Sequence, residues 1–206
     1  MPVEEFNQIF RDEHRQLRDM LLGLIDAFQA SDDERVRQGI EEMAAHAAPH
    51  FQYEQEALYP ALADLHGDSY VEKLIDEHAQ ALEAATRLAE LAQQEELDEE
   101  TAAYGLDLVR QLLPHVTDRD GLAVMIEVLE PEAVEKLHKA QKESKKRGAT
   151  LASLTKGAKK RAGKGKKATK ATAKARKSIA APKPKASTTS PKARKRSAPK
   201  TATRRK

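Results

Sequence analysis

Asp12-Glu13-His14-Arg15-Gln16-Leu17 and Asp76-Glu77-His78-Ala79-Gln80-Ala81-Leu82 are two versions of one phrase, and their spacing decides the fold. A Pro-His pair follows each of them: Pro49-His50 after the first, Pro114-His115 after the second. His14 and His50 are 36 residues apart, and His78 and His115 are 37 apart. A weak duplication of this kind describes two copies of one supersecondary unit. Each copy is a helical hairpin with one histidine on its first helix and one on its second. Two hairpins packed about a pseudo-twofold axis bring four histidines to one level of a bundle.

The flanking pattern agrees. Phe6, Phe10, Leu17, Leu21, Leu24 and Phe28 recur at three-to-four-residue spacing and form one apolar stripe. Ser31-Asp32-Asp33 interrupts the stripe and caps a second helix, which runs through Ile40, Met43 and Phe51 towards Tyr59-Pro60. His66-Gly67-Asp68 reads as a turn. A third helix carries Val71, Leu74, Ile75, His78, Leu82, Ala85 and Ala89 on one face. Asp98 caps a fourth, which carries Tyr104, Leu108, Leu112 and His115. Pro131 suits the first turn of a further helix reaching about Lys146. β-Branched residues are few and never alternate. The expected fold is therefore all-α, an up-down-up-down four-helix bundle over residues 1–140 with a C-terminal helical extension.

The net charge of +3 hides a split. Residues 1–140 carry 11 Lys/Arg against 32 Asp/Glu, whereas residues 141–206 carry 25 Lys/Arg against one Glu. From about Lys142 the chain is almost wholly Lys, Arg, Ala, Gly, Pro, Ser and Thr, and aromatic residues are absent. Such a segment cannot bury enough surface to offset its ordering entropy, so residues 141–206 are expected to be a disordered basic tail. Its cations suit phosphates, which makes nucleic acid the expected partner of residues 142–206. Without aromatics it has no stacking platform for reading single strands. Its Lys-Ala-Pro-Ser texture resembles linker-histone tails.

The chain has no Cys, which excludes disulfides, thiolate metal sites and iron–sulfur clusters. Any transition metal must be held by His, Asp or Glu. His50 and Glu54 lie one helical turn apart on one face. His115 is followed by Asp118, three residues on, and Asp120, five on; the second needs a locally loosened helix, which Pro114 and Gly121 favour. Imidazoles and carboxylates offered from facing helices are how bundles build dinuclear sites, with Fe, Mn and Zn as the suited ions.

Residues 4–130, and above all His50-Phe51-Gln52-Tyr53-Glu54 with the following Leu58-Tyr59-Pro60, resemble the hemerythrin, or HHE cation-binding, family. The resemblance implies two non-haem irons, with His14 and His50 on one, His78 and His115 on the other, and Glu54 and Asp120 bridging. Asp118 competes with Asp120. The family usually carries a further histidine one turn before the third-helix ligand, where this chain has Leu74. That substitution argues against reversible O₂ carriage and for a more open site, to which Glu13, Glu77 or water is the remaining candidate ligand. Tyr53, Tyr59 and Tyr104 read as core or capping aromatics, and His66 and His138 as surface residues. His46 reads as an outer neighbour of the site or a solvated residue.

No apolar run approaches the roughly 20 residues of a membrane span. The acidic, amphipathic start is unlike a signal peptide, so the expected location is the cytoplasm, at the nucleoid. The expected function is sensing or scavenging of O₂, NO, peroxide or iron by a metal-binding bundle tethered to DNA. The alternative is a nucleoid-associated structural protein with the bundle as a folded head. Enzymatic turnover ranks third, because the sequence names no substrate pocket or proton-delivery group.

Overall fold

The structure is a computed structural model that describes residues 1–94, 96–117 and 120–156, with the backbone alone at Asp120. The described residues form helices and turns, without a strand. The helices are α1 (Val3–Gln29), α2 (Asp33–Tyr53), α3 (Tyr59–His66), α4 (Asp68–Leu91), α5 (Glu99–Thr117), α6 (Asp120–Ile126) and α7 (Pro131–Arg147). Local chemistry sets their ends. Asp32 accepts from the Arg35 N–H at 3.1 Å and Asp98 from the Thr101 N–H at 2.8 Å, each satisfying one of the unpaired donors of a first turn. Pro131 opens α7, and Gly148 closes it in a left-handed conformation with φ 62°.

Helix α1 packs on α2 and α5, and α4 packs on α5, α2 and α3, which closes the ring of a four-helix bundle. A π-helical turn, Glu54–Leu58, joins α2 to α3, so these two helices act as one wall. Short α6 lies against α1, and α7 lies along α2, the π turn and α1. The chain then returns to the bundle: Leu151 is buried, and the Thr155 and Thr86 hydroxyls are 2.7 Å apart.

The core has two apolar clusters. One gathers Leu17, Leu21, Leu24, Ile40, Met43 and Leu82 with Leu108 and Leu112; the other gathers Phe6, Phe10, Leu58, Leu62, Val71 and Ile126 with Val134. Along α1 and α4 the change from one cluster to the other falls at a histidine; on α2 it falls just after His50, between Phe51 and Tyr53, and α5 carries His115 next to Val116, its last first-cluster residue. Two residues expected on inner faces point outward: Ile75 is 46% exposed and Tyr104 43%. Tyr104 instead takes a surface contact from Arg87 at 3.5 Å.

Gly105 on α5 lies directly against the ring of Phe28 from α1. A Cβ there would lie 2.4 Å from Cζ of Phe28, which is itself buried. Alanine is worth about 1 kcal/mol more than glycine in a helix, yet forcing a methyl into a packed core costs about 1–3 kcal/mol. Gly105→Ala is therefore expected to lower the midpoint of urea unfolding despite its better helix propensity. An unchanged or raised midpoint would contradict this packing.

Candidate metal centre

Five buried polar side chains meet where the two clusters divide: His14 from α1, His50 from α2, Glu54 from the π turn, His78 from α4 and His115 from α5. Glu54 is fully buried and sits at the centre. Its Oε1 lies 3.8 Å from His14 Nε2 and 3.4 Å from His50 Nε2. Its Oε2 lies 3.0 Å from His78 Nδ1 and 3.5 Å from His115 Nε2. Each carboxylate oxygen thus faces one histidine pair. Phe51 bounds the layer on one side, stacked on His115 at 4.8 Å between ring centroids, and Phe10 bounds it on the other, 4.3 Å from His14.

The backbone pays for this placement with irregular helix geometry. Pro49 and Pro114 lie inside α2 and α5, each one residue before a histidine, and each removes a helical N–H donor. In the π turn the Tyr59 N–H reaches the Glu54 carbonyl five residues back. Residues five apart would diverge by about 140° around a regular helix. The wider π turn lets Glu54 and Tyr59 both point inward. The Tyr59 hydroxyl lies 3.1 Å from His78 Nδ1 and 3.4 Å from Glu54 Oε2.

Each ring on the Oε1 side has its outer nitrogen occupied. His14 Nδ1 donates to the Phe10 carbonyl at 2.9 Å, and His50 Nδ1 donates to Glu13 Oε2 at 3.1 Å. That leaves Nε2 of each ring facing inward, the usual arrangement of a metal-binding histidine. His14 Nε2, His50 Nε2 and Glu54 Oε1 are buried without a hydrogen bond. Buried polar atoms left so are costly and rare, and three converging on one point suit a cation. His14, His50, Glu54 and His115 offer ligand atoms that all lie within 4.8 Å of one another, with His78 beside them. A cation bonded at about 2.0–2.2 Å to a nitrogen and an oxygen holds those atoms roughly 3–4 Å apart, the range seen here. The donor set fits a borderline transition metal.

Electrostatics divides the two rings. Burial and the charge of His50 lower His14 to about 4. Burial also opposes charge on His50, but Glu54 and Glu13 outweigh it and raise His50 to about 9. Burial works against ionised Glu54 too, yet His50, His78 and His115 hold its carboxyl well below the usual range. Near neutral pH His14 is uncharged, with its one proton on Nδ1 and none on Nε2, whereas metal-free His50 stays charged, keeping a second proton, until about pH 9. Metal uptake must expel that proton. Apparent affinity is expected to rise as pH climbs from 7 towards 9 and to flatten above it, with about one proton released by His50 at pH 7.5. Calorimetric titration with Zn²⁺ in buffers of different ionisation enthalpy measures this; a pH-independent affinity would contradict it.

The duplication in the sequence is not symmetrical in space. Glu13 is buried behind His50, whereas its counterpart Glu77 is exposed and pairs with Lys73 at 3.6 Å. Leu74 is half-buried and lines a cavity of about 380 Å³ beside His115, with Tyr70 and Glu77 at its exposed rim. His46 is half-buried, His66 is exposed, and His138 packs edge-on against Phe6. Asp120 is the first residue of α6; its side chain and all of Asp118 lie outside the described residues. The sequence reading missed the contacts of Tyr53 and Tyr59 with the layer, and those of Gln141 and Lys145 with Glu13. The Tyr59-Pro60 pair beside Glu54 was the available signal for one of these.

A bundle with a central buried carboxylate and four histidines around it defines a histidine–carboxylate cation-binding protein. Residues 6–126 match the hemerythrin family, described as the hemerythrin HHE cation binding domain, and the chain belongs to that family. No curated protein and no solved structure matches it. No helix among the described residues is long and apolar enough to cross a membrane.

Proposed function

We propose that the chain is a di-iron sensor or scavenger of O₂, NO, peroxide or iron, held at nucleic acid by its basic tail. The observation that carries the metal reading is the division of Glu54: Oε1 faces His14 and His50, and Oε2 faces His78 and His115. This supports one ion per histidine pair with Glu54 bridging. Asp120, at the start of α6, is the proposed second bridge, with Asp118 as its competitor. Two irons held here would supply one-electron redox chemistry and coordination positions open to small ligands. Mn and Zn suit the same donors.

The chain's own residues tune that site. Phe10 and Phe51 exclude water from the His14–His115 side, while Leu74 leaves a cavity where the family commonly has another nitrogen ligand. Residues 157–206 carry 20 Lys/Arg and no Asp/Glu, which favours a sequence-independent phosphate partner and a location at the nucleoid. Anaerobic iron loading followed by metal analysis, with optical spectra before and after air, tests the metal reading. The expected result is two irons per chain and a visible absorption change in air. Less than one ion per chain, or a colourless protein that takes only zinc, overturns it.

A further inference from the structure

Among the described residues the buried carboxylates are Glu54 and Glu13. Glu54 belongs to the candidate site. Glu13 stands one residue before His14 but points away from Glu54, and its two oxygens serve different elements. Oε2 accepts from His50 Nδ1 at 3.1 Å and from the Tyr53 hydroxyl at 3.0 Å. Oε1 accepts from Gln141 Nε2 at 2.6 Å and from Lys145 Nζ at 2.8 Å, both on α7. Glu13 therefore links α7 to His50. Helix α7 lies beyond residues 6–126, the segment that matches the family.

We propose that Gln141 and Lys145 are positioning residues of the metal centre, acting through Glu13 to fix the ring of His50. The inference rests on the metal reading only for its second readout below. A buried carboxylate is stable when its lone pairs are filled, and charge-assisted bonds are the strong ones. Glu13 draws two of its four donors from α7. Gln141 is 3% exposed, and the Ser144 hydroxyl donates to the Gln141 carbonyl at 2.8 Å, so this end of the chain of contacts is shielded from water. Lys145 is half-exposed and adds the positive charge. With both present, Glu13 holds the Nδ1–H of His50 and so aims Nε2 at Glu54. Without them, Glu13 has room and reason to turn to solvent, and the His50 ring loses its outer anchor. His78 is held differently: the Tyr59 hydroxyl lies 3.1 Å from its Nδ1, and Glu77 is exposed. The effect of α7 therefore falls on one half of the centre. Carboxylate groups that orient a ligand histidine commonly carry 10–100-fold in metal affinity.

The test uses the full chain with Gln141→Ala plus Lys145→Met, and with Lys145→Met alone. Lys139→Ala, on the same helix but paired only with surface Glu143, is the control. The first readout needs no metal: hydrogen exchange of the His50 Nδ1–H, followed by ¹H–¹⁵N NMR. It is expected to be slow in the parent chain and in Lys139→Ala, and at least about tenfold faster in the double variant. The second is release of Co²⁺ to a chelator, expected to be about 10–100-fold faster in the double variant, with an altered visible spectrum. Lys145→Met should give intermediate values, and Lys145→Arg should restore both. Circular dichroism checks folding; if the double variant unfolds, Lys145→Met decides. Exchange and release rates equal to the parent's overturn the proposal. A parent chain that takes up no Co²⁺ overturns the metal reading instead, and the exchange rates still decide the role of α7.

Discussion

Glu54→Gln will leave a helical, folded protein that has lost its metal. Glutamine keeps the volume of the side chain in a fully buried position beside the Tyr59 hydroxyl, so the packing is retained. What it removes is the negative charge between two histidine pairs and, in the proposed arrangement, the bridge between two ions. Each pair sits within 3.0–3.8 Å of a Glu54 oxygen, so the loss strikes both halves together. Affinity should fall by well over the roughly 100-fold reported for groups one step further out. Equilibrium dialysis with Zn²⁺ or Co²⁺ measures it. Retention of two ions per chain at parental affinity would remove Glu54 from the centre and with it the proposed arrangement.

The second large effect concerns the tail. A chain ending after residue 156 is expected to lose binding to duplex DNA by at least about 100-fold at low salt, while the full chain binds with a steep salt dependence. If the tail engages six or more phosphates, affinity of the full chain falls by about 10³-fold or more between 50 and 200 mM salt. The cut belongs after residue 156 because Lys145, Leu151 and Thr155 contact the bundle, so an earlier truncation would disturb the fold as well as the charge. The bundle is strongly acidic and should repel DNA once the tail is gone. Equal binding by the truncated chain would refute the assignment. Full DNA affinity that Glu54→Gln leaves unchanged, with or without metal, would favour the structural nucleoid reading over a sensor.

Much of the bundle was legible because its signals are local. Asp32 and Asp98 mark helix starts through bonds made three residues on, Pro131 marks one through its fixed φ, and the repeated histidine phrases mark the level at which four imidazoles meet. The centrality of Glu54 follows from its place one turn after His50. What stayed hidden depends on distance and on broken symmetry. Glu13 and Glu77 occupy matching places in the repeat, yet one is buried and the other exposed, because α7 covers only the first hairpin. Gln141 meets Glu13 across 128 residues, and no pattern in either segment announces that contact. Tyr59 reaches the centre because of a π turn, and a count at 3.6 residues per turn places it elsewhere.

The division of the core has a consequence for cooperativity. Helices α1, α2 and α4 pass from one apolar cluster to the other through a seam of imidazoles and one carboxylate, and α5 ends just beyond it. Apolar contact transmits order between neighbouring layers, and a polar seam interrupts it. Ions bound in the seam are ligated from several helices at once, so their binding energy is also coupling energy between the two cores. The metal-loaded chain is then expected to unfold as a single unit, and the metal-free chain as two less tightly coupled layers. Loss of metal would register as a broadened melting transition and as faster amide exchange, first in the cluster around Leu62 and Ile126, where the helices are shortest.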